Sequence, residues 1–361
     1  MRHHPVTAFA LVAAALMAAS GAASVATAEI LREHSDLSFE ISGWKVLELD
    51  NARGSVAVRR SPDNRVHLVA LKIVRGGDRK HAEQIAGQID VTTEQSGDRF
   101  IVTAHYPPRT DIQIGFWDML SGNEFPRAEL RLEVEAPEAL PVRLLSTSGD
   151  LSTEDRVGPQ TFEPHSGDIT ARRARGPLEA TTTSGDFDLA DVGAVWLRAS
   201  SGDVLIDGAR GPVSVRVGSG DIRIKGAADS LSLSASSGDI HVDDAPRGLD
   251  AQTTSGDVVA PQVAARARVS TTSGDVQLGL RAPLRSVEIQ TSNGDVKIDL
   301  ARGLGCALDL RTTSGTLDVG VPMVLRGADR HAMAGSIAGG GTPLTVRTSS
   351  GDVTVTSGAG R

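Results

Sequence analysis

The stretch that decides the fold is Ser201-Gly202-Asp203-Val204-Leu205-Ile206, because similar six-residue units recur along most of the chain. Its glycine belongs to a series whose neighbouring members lie 17 or 18 residues apart: Gly149, Gly167, Gly185, Gly202, Gly220, Gly238, Gly256 and Gly274. Variants of the unit continue the series at Gly294, Gly315 and Gly351, with spacings of 20, 21 and 36 residues. A sustained period of this kind predicts a repeat architecture.

Each unit has the pattern of two short β-strands. Apolar and polar residues alternate after the Gly-Asp pair, as at Val204 and Ile206, and again in a second run such as Val213 and Val215. One unit cannot bury its apolar side alone, whereas stacked units can. The sequence therefore predicts an all-β fold, a single-stranded parallel β-solenoid with coils of about 18 residues. We expect a right-handed coil, because parallel crossovers are almost always right-handed.

The recurring glycines and aspartates are predicted to form the corners of the coils. Glycine suits a corner that needs a positive φ or a close backbone approach, and Ser and Asp hydrogen-bond turn amides. Stacking would bring the carboxylates into a column, where their repulsion is offset by turn N–H groups or by cations. A Ca²⁺ row at Asp203, Asp221, Asp239, Asp257 and Asp275 stays open as an alternative, although the repeat has less glycine than known Ca²⁺-binding repeats. We expect no metal and no cofactor.

The two ends of the chain differ from the repeats. Residues 1–28 are typical of a secretory signal peptide, with an apolar run over 8–19 that is too short to span a bilayer and a cleavage site at Ala26-Thr27-Ala28. The sequence predicts a periplasmic or extracellular protein with no transmembrane segment in the mature chain. Residues 29–143 are expected to form an N-terminal cap and first degenerate coils with insertions, including a helix over 78–90. Residues 144–361 are expected to form the regular repeats.

Composition narrows the possible partners and cross-links. The net charge is −8, from 37 basic and 45 acidic residues without a basic cluster, which disfavours nucleic acid as a partner. Aromatic residues make up only 3% of the chain, so the core must be aliphatic. Cys306 is the only cysteine, which excludes an intramolecular disulfide, and its apolar neighbours predict a buried thiol.

One irregular segment collects three of the few aromatic residues, Phe116, Trp117 and Phe125. Such side chains either seal an apolar edge or contact a ligand, so they are candidates for binding a partner. The alternative to a binding protein is a polysaccharide-active enzyme. Such an enzyme needs two carboxyl groups that point into the same substrate site. The acids that stand out from the repeat are Asp243 with Asp244 and Asp186 with Asp188, and we interpret them as extra surface charge. We expect a protein that is not an enzyme.

The signal peptide, the irregular first third and the recurring Ser-Gly-Asp-Val-x-Ile units resemble the bacterial putative-adhesin family, a β-helical family of unknown function. The resemblance covers about residues 40–356. It implies an exported envelope protein with a β-helix, and it supplies no catalytic residues. A glycan or a cell-envelope protein is the partner expected for such a module.

Overall fold

The computed structural model describes residues 30–41, 43–75, 79–107 and 127–358. The predicted signal peptide and the candidate residues Phe116, Trp117 and Phe125 lie outside the described residues. Within them the chain forms 29 β-strands and one helix, so the prediction of an all-β fold is confirmed. The chain divides into two compact units, Met1–Thr170 (unit 1) and Ala171–Arg361 (unit 2).

Unit 1 holds ten strands and the helix. They are β1 (Ile30–Phe39), β2 (Val46–Arg53), β3 (Val56–Arg60), β4 (Val66–Arg75), α1 (Arg79–Gln88), β5 (Asp90–Ser96), β6 (Arg99–His105), β7 (Arg127–Ala136), β8 (Val142–Ser148), β9 (Leu151–Arg156) and β10 (Gln160–Ser166). A further strand, β11 (Ile169–Ala174), includes the boundary between the units.

The other strands of unit 1 are arranged around β2 and β3. β2 pairs in parallel with both β6 and β8, and β3 pairs in parallel with both β7 and β9. Antiparallel pairs β1–β4, β4–β7 and β5–β6 continue outward from there. Helix α1 packs Ala82, Ile85 and Ala86 against Val74. The insertion from β4 to β7 therefore covers the side of β2 and β3 that would otherwise be an open sheet edge.

One fully buried charge interrupts the aliphatic core of unit 1. Arg156 is 0% exposed and donates hydrogen bonds to the carbonyl oxygens of Ala136 and Leu140. Burial lowers its pKa to about 10. Nearby, buried Thr153 donates to Gln160 Oε1 at 2.6 Å. The two Arg156 bonds anchor the connection between β7 and β8, whose buried carbonyls need partners.

Unit 2 holds the regular repeats. Its strands are β12 (Leu178–Ser184), β13 (Phe187–Val192), β14 (Val195–Ser201), β15 (Val204–Ala209), β16 (Val213–Ser219), β17 (Ile222–Ala227), β18 (Leu231–Ser237), β19 (Ile240–Val242), β20 (Leu249–Ser255), β21 (Val258–Ser273), β22 (Val276–Asn293), β23 (Val296–Leu300), β24 (Cys306–Arg311), β25 (Leu317–Val319), β26 (Met323–Ala328), β27 (Ala332–Ile337), β28 (Thr342–Ser350) and β29 (Val353–Ser357).

Two rows of parallel strands run through unit 2. The first strand row consists of β12, β14, β16, β18, β20 and the second half of β21. The other strand row consists of β13, β15, β17, β19 and the first part of β21. Equivalent residues pair throughout, for example Val213 with Leu231 and Leu231 with Leu249. Inward residues are aliphatic and buried, so each strand packs its apolar side on the equivalent positions of the next repeat. We call each strand–corner–strand repeat a rung.

The last rung does not follow chain order. β28 pairs in parallel with β22 on one side and with β24 on the other, and β29 likewise lies between β23 and β25. The long spacing before Gly351 holds an antiparallel hairpin of β26 and β27, which packs on β24. The chain therefore returns after the hairpin and inserts its final rung one position inward. This arrangement covers the final rung with β24 and β25.

The Ser-Gly-Asp corners bring successive rungs into unusually close contact. All eleven recurring glycines have φ between +132° and +156°. A Cβ built on Gly220 would lie less than 3.0 Å from the carbonyl oxygen of Gly202, a separation that real Cβ atoms do not show. The same clash recurs at the corners Gly202, Gly238, Gly256, Gly274, Gly294, Gly315 and Gly351. Both the φ value and the spacing therefore require glycine.

Replacing Gly220 with alanine tests this requirement. Gly220→Ala should reduce the free energy of unfolding by about 4 kcal/mol, because overpacking and backbone strain add. Gly303 is the matched control, since it has φ +76° but nothing within 4 Å of a built Cβ, and Gly303→Ala should cost about 1 kcal/mol. Urea denaturation measures both, and equal losses would contradict the close-approach explanation.

Candidate functional site

The aspartates of the corners form a hydrogen-bonded column in unit 2. The backbone N–H of each aspartate donates to Oδ1 of the aspartate on the preceding rung, over 2.7–2.9 Å. The column runs through Asp186, Asp203, Asp221, Asp239, Asp257, Asp275, Asp295 and Asp352. At its end the Thr316 N–H donates to Asp352 and lowers the pKa of that carboxyl. In unit 1 the Asp168 N–H donates to Asp150 in the same way, at 3.0 Å.

These contacts supply the charge compensation that the column needs. A hydrogen bond to an ionised acceptor is stronger than a neutral one, and water and salt screen the repulsion between exposed carboxylates. Ca²⁺ requires six to eight oxygen ligands, whereas each rung offers one carboxylate with one oxygen already engaged. Among the described residues, no group of three or more His, Cys, Asp or Glu side chains is placed to hold a metal. That the column binds no calcium stays a prediction, which the calcium experiment at the end of this subsection tests.

The acids that interrupt the repeat pattern belong to separate ion pairs. Asp243 accepts from His241 at 3.0 Å, and Asp244 pairs with Arg281. Asp188 pairs with Arg172. None of these contacts brings two carboxylates together on a substrate-sized cleft, which is the arrangement that glycoside hydrolysis needs. Cys306 is buried, and burial raises the pKa of its thiol, so it is not poised as a nucleophile.

An exposed tryptophan stands on the outer face of the first strand row of unit 2. Trp196 in β14 is 47% exposed, and its cross-strand neighbours are Glu179 and Ser214. Outward positions of this row otherwise carry small, polar or charged side chains, such as Ser232 and Asp250. Sequence reasoning did not single out Trp196, because it looked for clusters of aromatics. The signal was present in the repeat register, which places residue 196 between the buried Val195 and Leu197.

Unit 1 contains a groove lined by residues of β1, β3, β4 and β7. Its cavity of about 410 Å³ is lined by residues that include Asp36, Arg59, His67, Glu133 and Glu135. The Asp63 carboxylate accepts from His67 at 2.9 Å, and this contact lowers the pKa of Asp63 to about 2. The lining holds three carboxylates, Asp36, Glu133 and Glu135, and one guanidinium, Arg59, so the groove is acidic and does not favour an anionic ligand.

The sequence matches the family described as Toastrack DUF4097 over residues 44–268 and 262–356. The chain belongs to the Toastrack DUF4097 family. The resemblance to a bacterial family of adhesin-like proteins is therefore confirmed, and the fold of this Toastrack protein is all-β and solenoid-like. No curated protein matches the chain.

Solved structures similar to the Toastrack protein come from several bacteria. A "putative lipid binding protein" from Parabacteroides distasonis has 12% identity and a TM-score of 0.33, over 89% of this chain and 96% of its own. A "putative adhesin" from Bacteroides fragilis has 11% identity and a TM-score of 0.26 over the same shares. A "putative cell adhesion protein" from Clostridium sporogenes has 7% identity and a TM-score of 0.24, over 91% of this chain and 100% of its own. Likeness at this level carries nothing about function.

The melting temperature of the Toastrack protein should not respond to calcium. A cation bound to the folded column would stabilise it by mass action, so we expect less than about 2 °C difference between about 5 mM CaCl₂ and EDTA. Differential scanning calorimetry measures this. A calcium-dependent rise that Asp239→Asn abolishes would contradict the assignment of the column to amide hydrogen bonds.

Proposed function

We propose that this Toastrack protein is an exported, non-enzymatic module that binds a glycan or a cell-envelope protein through the outer face of the first strand row of unit 2. The observation that carries the proposal is Trp196, an aromatic ring 47% exposed on a sheet of paired strands. Large aromatic side chains are enriched at binding hot spots, because a flat, rigid ring buries much area at little entropic cost. A sheet position also holds the ring more firmly than a loop does.

Export and the chain's organisation are part of the same proposal. We propose that residues 1–28 direct export and are removed after Ala28, which leaves the protein in the periplasm or outside the cell. The coil would be right-handed with about 18 residues per turn. Residues 29–143 would form the N-terminal cap and the first degenerate coils, and residues 144–361 would form the regular repeats. In support, the insertion from β4 to β7 covers the side of β2 and β3 that would otherwise be an open sheet edge. No helix in the part of the chain that the structure describes is long and apolar enough to cross a membrane.

We propose that the protein is not an enzyme because of the way its aspartate carboxylates are arranged. The carboxylates that depart from the repeat, at Asp188, Asp243 and Asp244, each have a basic partner of their own. The recurring carboxylates are engaged by amides along the column. The segment with Phe116, Trp117 and Phe125 is proposed as a second contact with the partner, because aromatic residues are otherwise scarce in this chain.

A glycan array and a pull-down of envelope protein, both with the full chain, test the proposal. Trp196→Ser introduces the residue found at position 214 on the next rung, so it should fold normally. We expect this variant to lose about tenfold or more in affinity for the partner. Leu205→Ser is the control, because Leu205 is 38% exposed on the other strand row. Unchanged binding by Trp196→Ser, or an equal loss in both variants, would overturn the proposal.

A further inference from the structure

Beside Trp196, the same face carries two arginines that oppose each other directly. Arg198 lies two residues further along β14, and its cross-strand partner on β16 is Arg216. Both side chains are exposed. Paired strands lie about 4.8 Å apart, so the two guanidinium groups extend from adjacent positions. Like charges placed directly opposite each other destabilise a sheet, so stability does not account for this pair.

Neither arginine has a carboxylate within ion-pair distance in the part of the chain that the structure describes. Another arginine of the same face shows the usual solution, because Arg268 opposes Glu288 and pairs with it at 2.8 Å. Around the two arginines the opposed residues are uncharged, Thr181 beside Arg198 and Ser234 beside Arg216. The protein thus presents a local positive patch although its net charge is −8.

Acidic groups limit the patch along the row. Glu179 on β12 opposes Trp196, and Asp250 on β20 lies two strands beyond Ser214. Between these two acidic residues, positive charge lies on β14 and β16, next to the exposed indole ring. A ligand that covers this patch must offer negative charge together with a face that packs on an aromatic ring.

We infer that Trp196, Arg198 and Arg216 bind a glycan that carries carboxylate, sulfate or phosphate groups. The inference rests on the proposed function and names its ligand class. Guanidinium groups bind these anions through paired N–H donors, and the indole ring packs against the C–H face of a sugar. The hydroxyl groups of Ser214 and Ser234 stand on neighbouring rungs to bind the sugar's own hydroxyls. An open sheet face also lets a polymer extend past the contact.

Titration of the full chain with three polysaccharides tests the inference. Dextran sulfate and neutral dextran share a backbone and differ in charge, and polygalacturonate carries carboxylates instead of sulfates. We expect wild-type protein to bind one or both anionic polymers and not dextran. The double variant Arg198→Gln with Arg216→Gln should lose about tenfold or more of this affinity. Its melting temperature should be unchanged or higher, because the substitutions remove a like-charge pair.

The matched control removes the same charge from the other strand row. Arg223 and Lys225 are exposed on β17, so Arg223→Gln with Lys225→Gln should bind as wild type. Equal losses in the two double variants, failure of wild type to bind either anionic polymer, or equal binding of neutral dextran would overturn the inference. Binding to phosphatidylserine vesicles with the same dependence on Arg198 and Arg216, in place of the polymers, would overturn it in favour of a membrane.

The two proposals fail in different ways. If Trp196→Ser abolishes binding to a neutral glycan while the Arg198 and Arg216 variant retains it, the proposed function stands and the anionic ligand class is wrong. If Trp196→Ser has no effect on any glycan or envelope protein, the proposed function itself is wrong.

Discussion

The close approach of the glycine corners is the constraint on which the rest of the structure depends. In unit 2, the corner glycines from Gly202 onward each sit against the carbonyl of the equivalent glycine on the neighbouring rung, at a spacing that excludes any Cβ. Its N–H donates to the neighbouring rung as well, for example from Gly220 to the Ser237 carbonyl at 3.0 Å. Because the corners are locked in this way, the strands on either side of them are held in register. A slip of one residue would turn every buried side chain outward.

Register at the corner explains why the two sides of the sheet can serve different purposes. Inward positions are mostly aliphatic, because they stack on their equivalents in the next rung. Outward positions carry no such demand, so a tryptophan or a pair of arginines can be presented on a scaffold that tolerates them. The aspartate column falls between these cases, since its carboxylates are exposed yet tied to the amides of the next rung. We therefore propose that its recurrence reflects the geometry of the corner.

Part of this arrangement could be predicted from the sequence, and part could not. The alternation after each Gly-Asp pair, as at Val204 and Ile206, predicts the strands because it is visible in a few neighbouring residues. The constant spacing of the Gly-Asp pairs predicts that equivalent strands of successive repeats pair in parallel. The position of the last rung between Gly294 and Gly315 could not be predicted, because spacing along the chain does not say which rung is adjacent. The sequence also does not show that Trp196, Arg198 and Arg216 share one surface, for a related reason. Only the pairing of β14 with β16 brings the two arginines together, although they are 18 residues apart in sequence.

Disulfide trapping is the measurement that tests the register most directly. Ser232 and Asp250 are outward cross-strand partners, and at about 4.8 Å their Cα atoms lie within the range that a disulfide spans. The pair Ser232→Cys with Asp250→Cys should therefore oxidise to an intramolecular disulfide, detected by mass under non-reducing conditions. The pair Ser232→Cys with Gln252→Cys, which is two residues out of register on the same face, should stay largely reduced. Equal oxidation of both pairs, or preferential oxidation of the second, would contradict the register that the glycine corners impose.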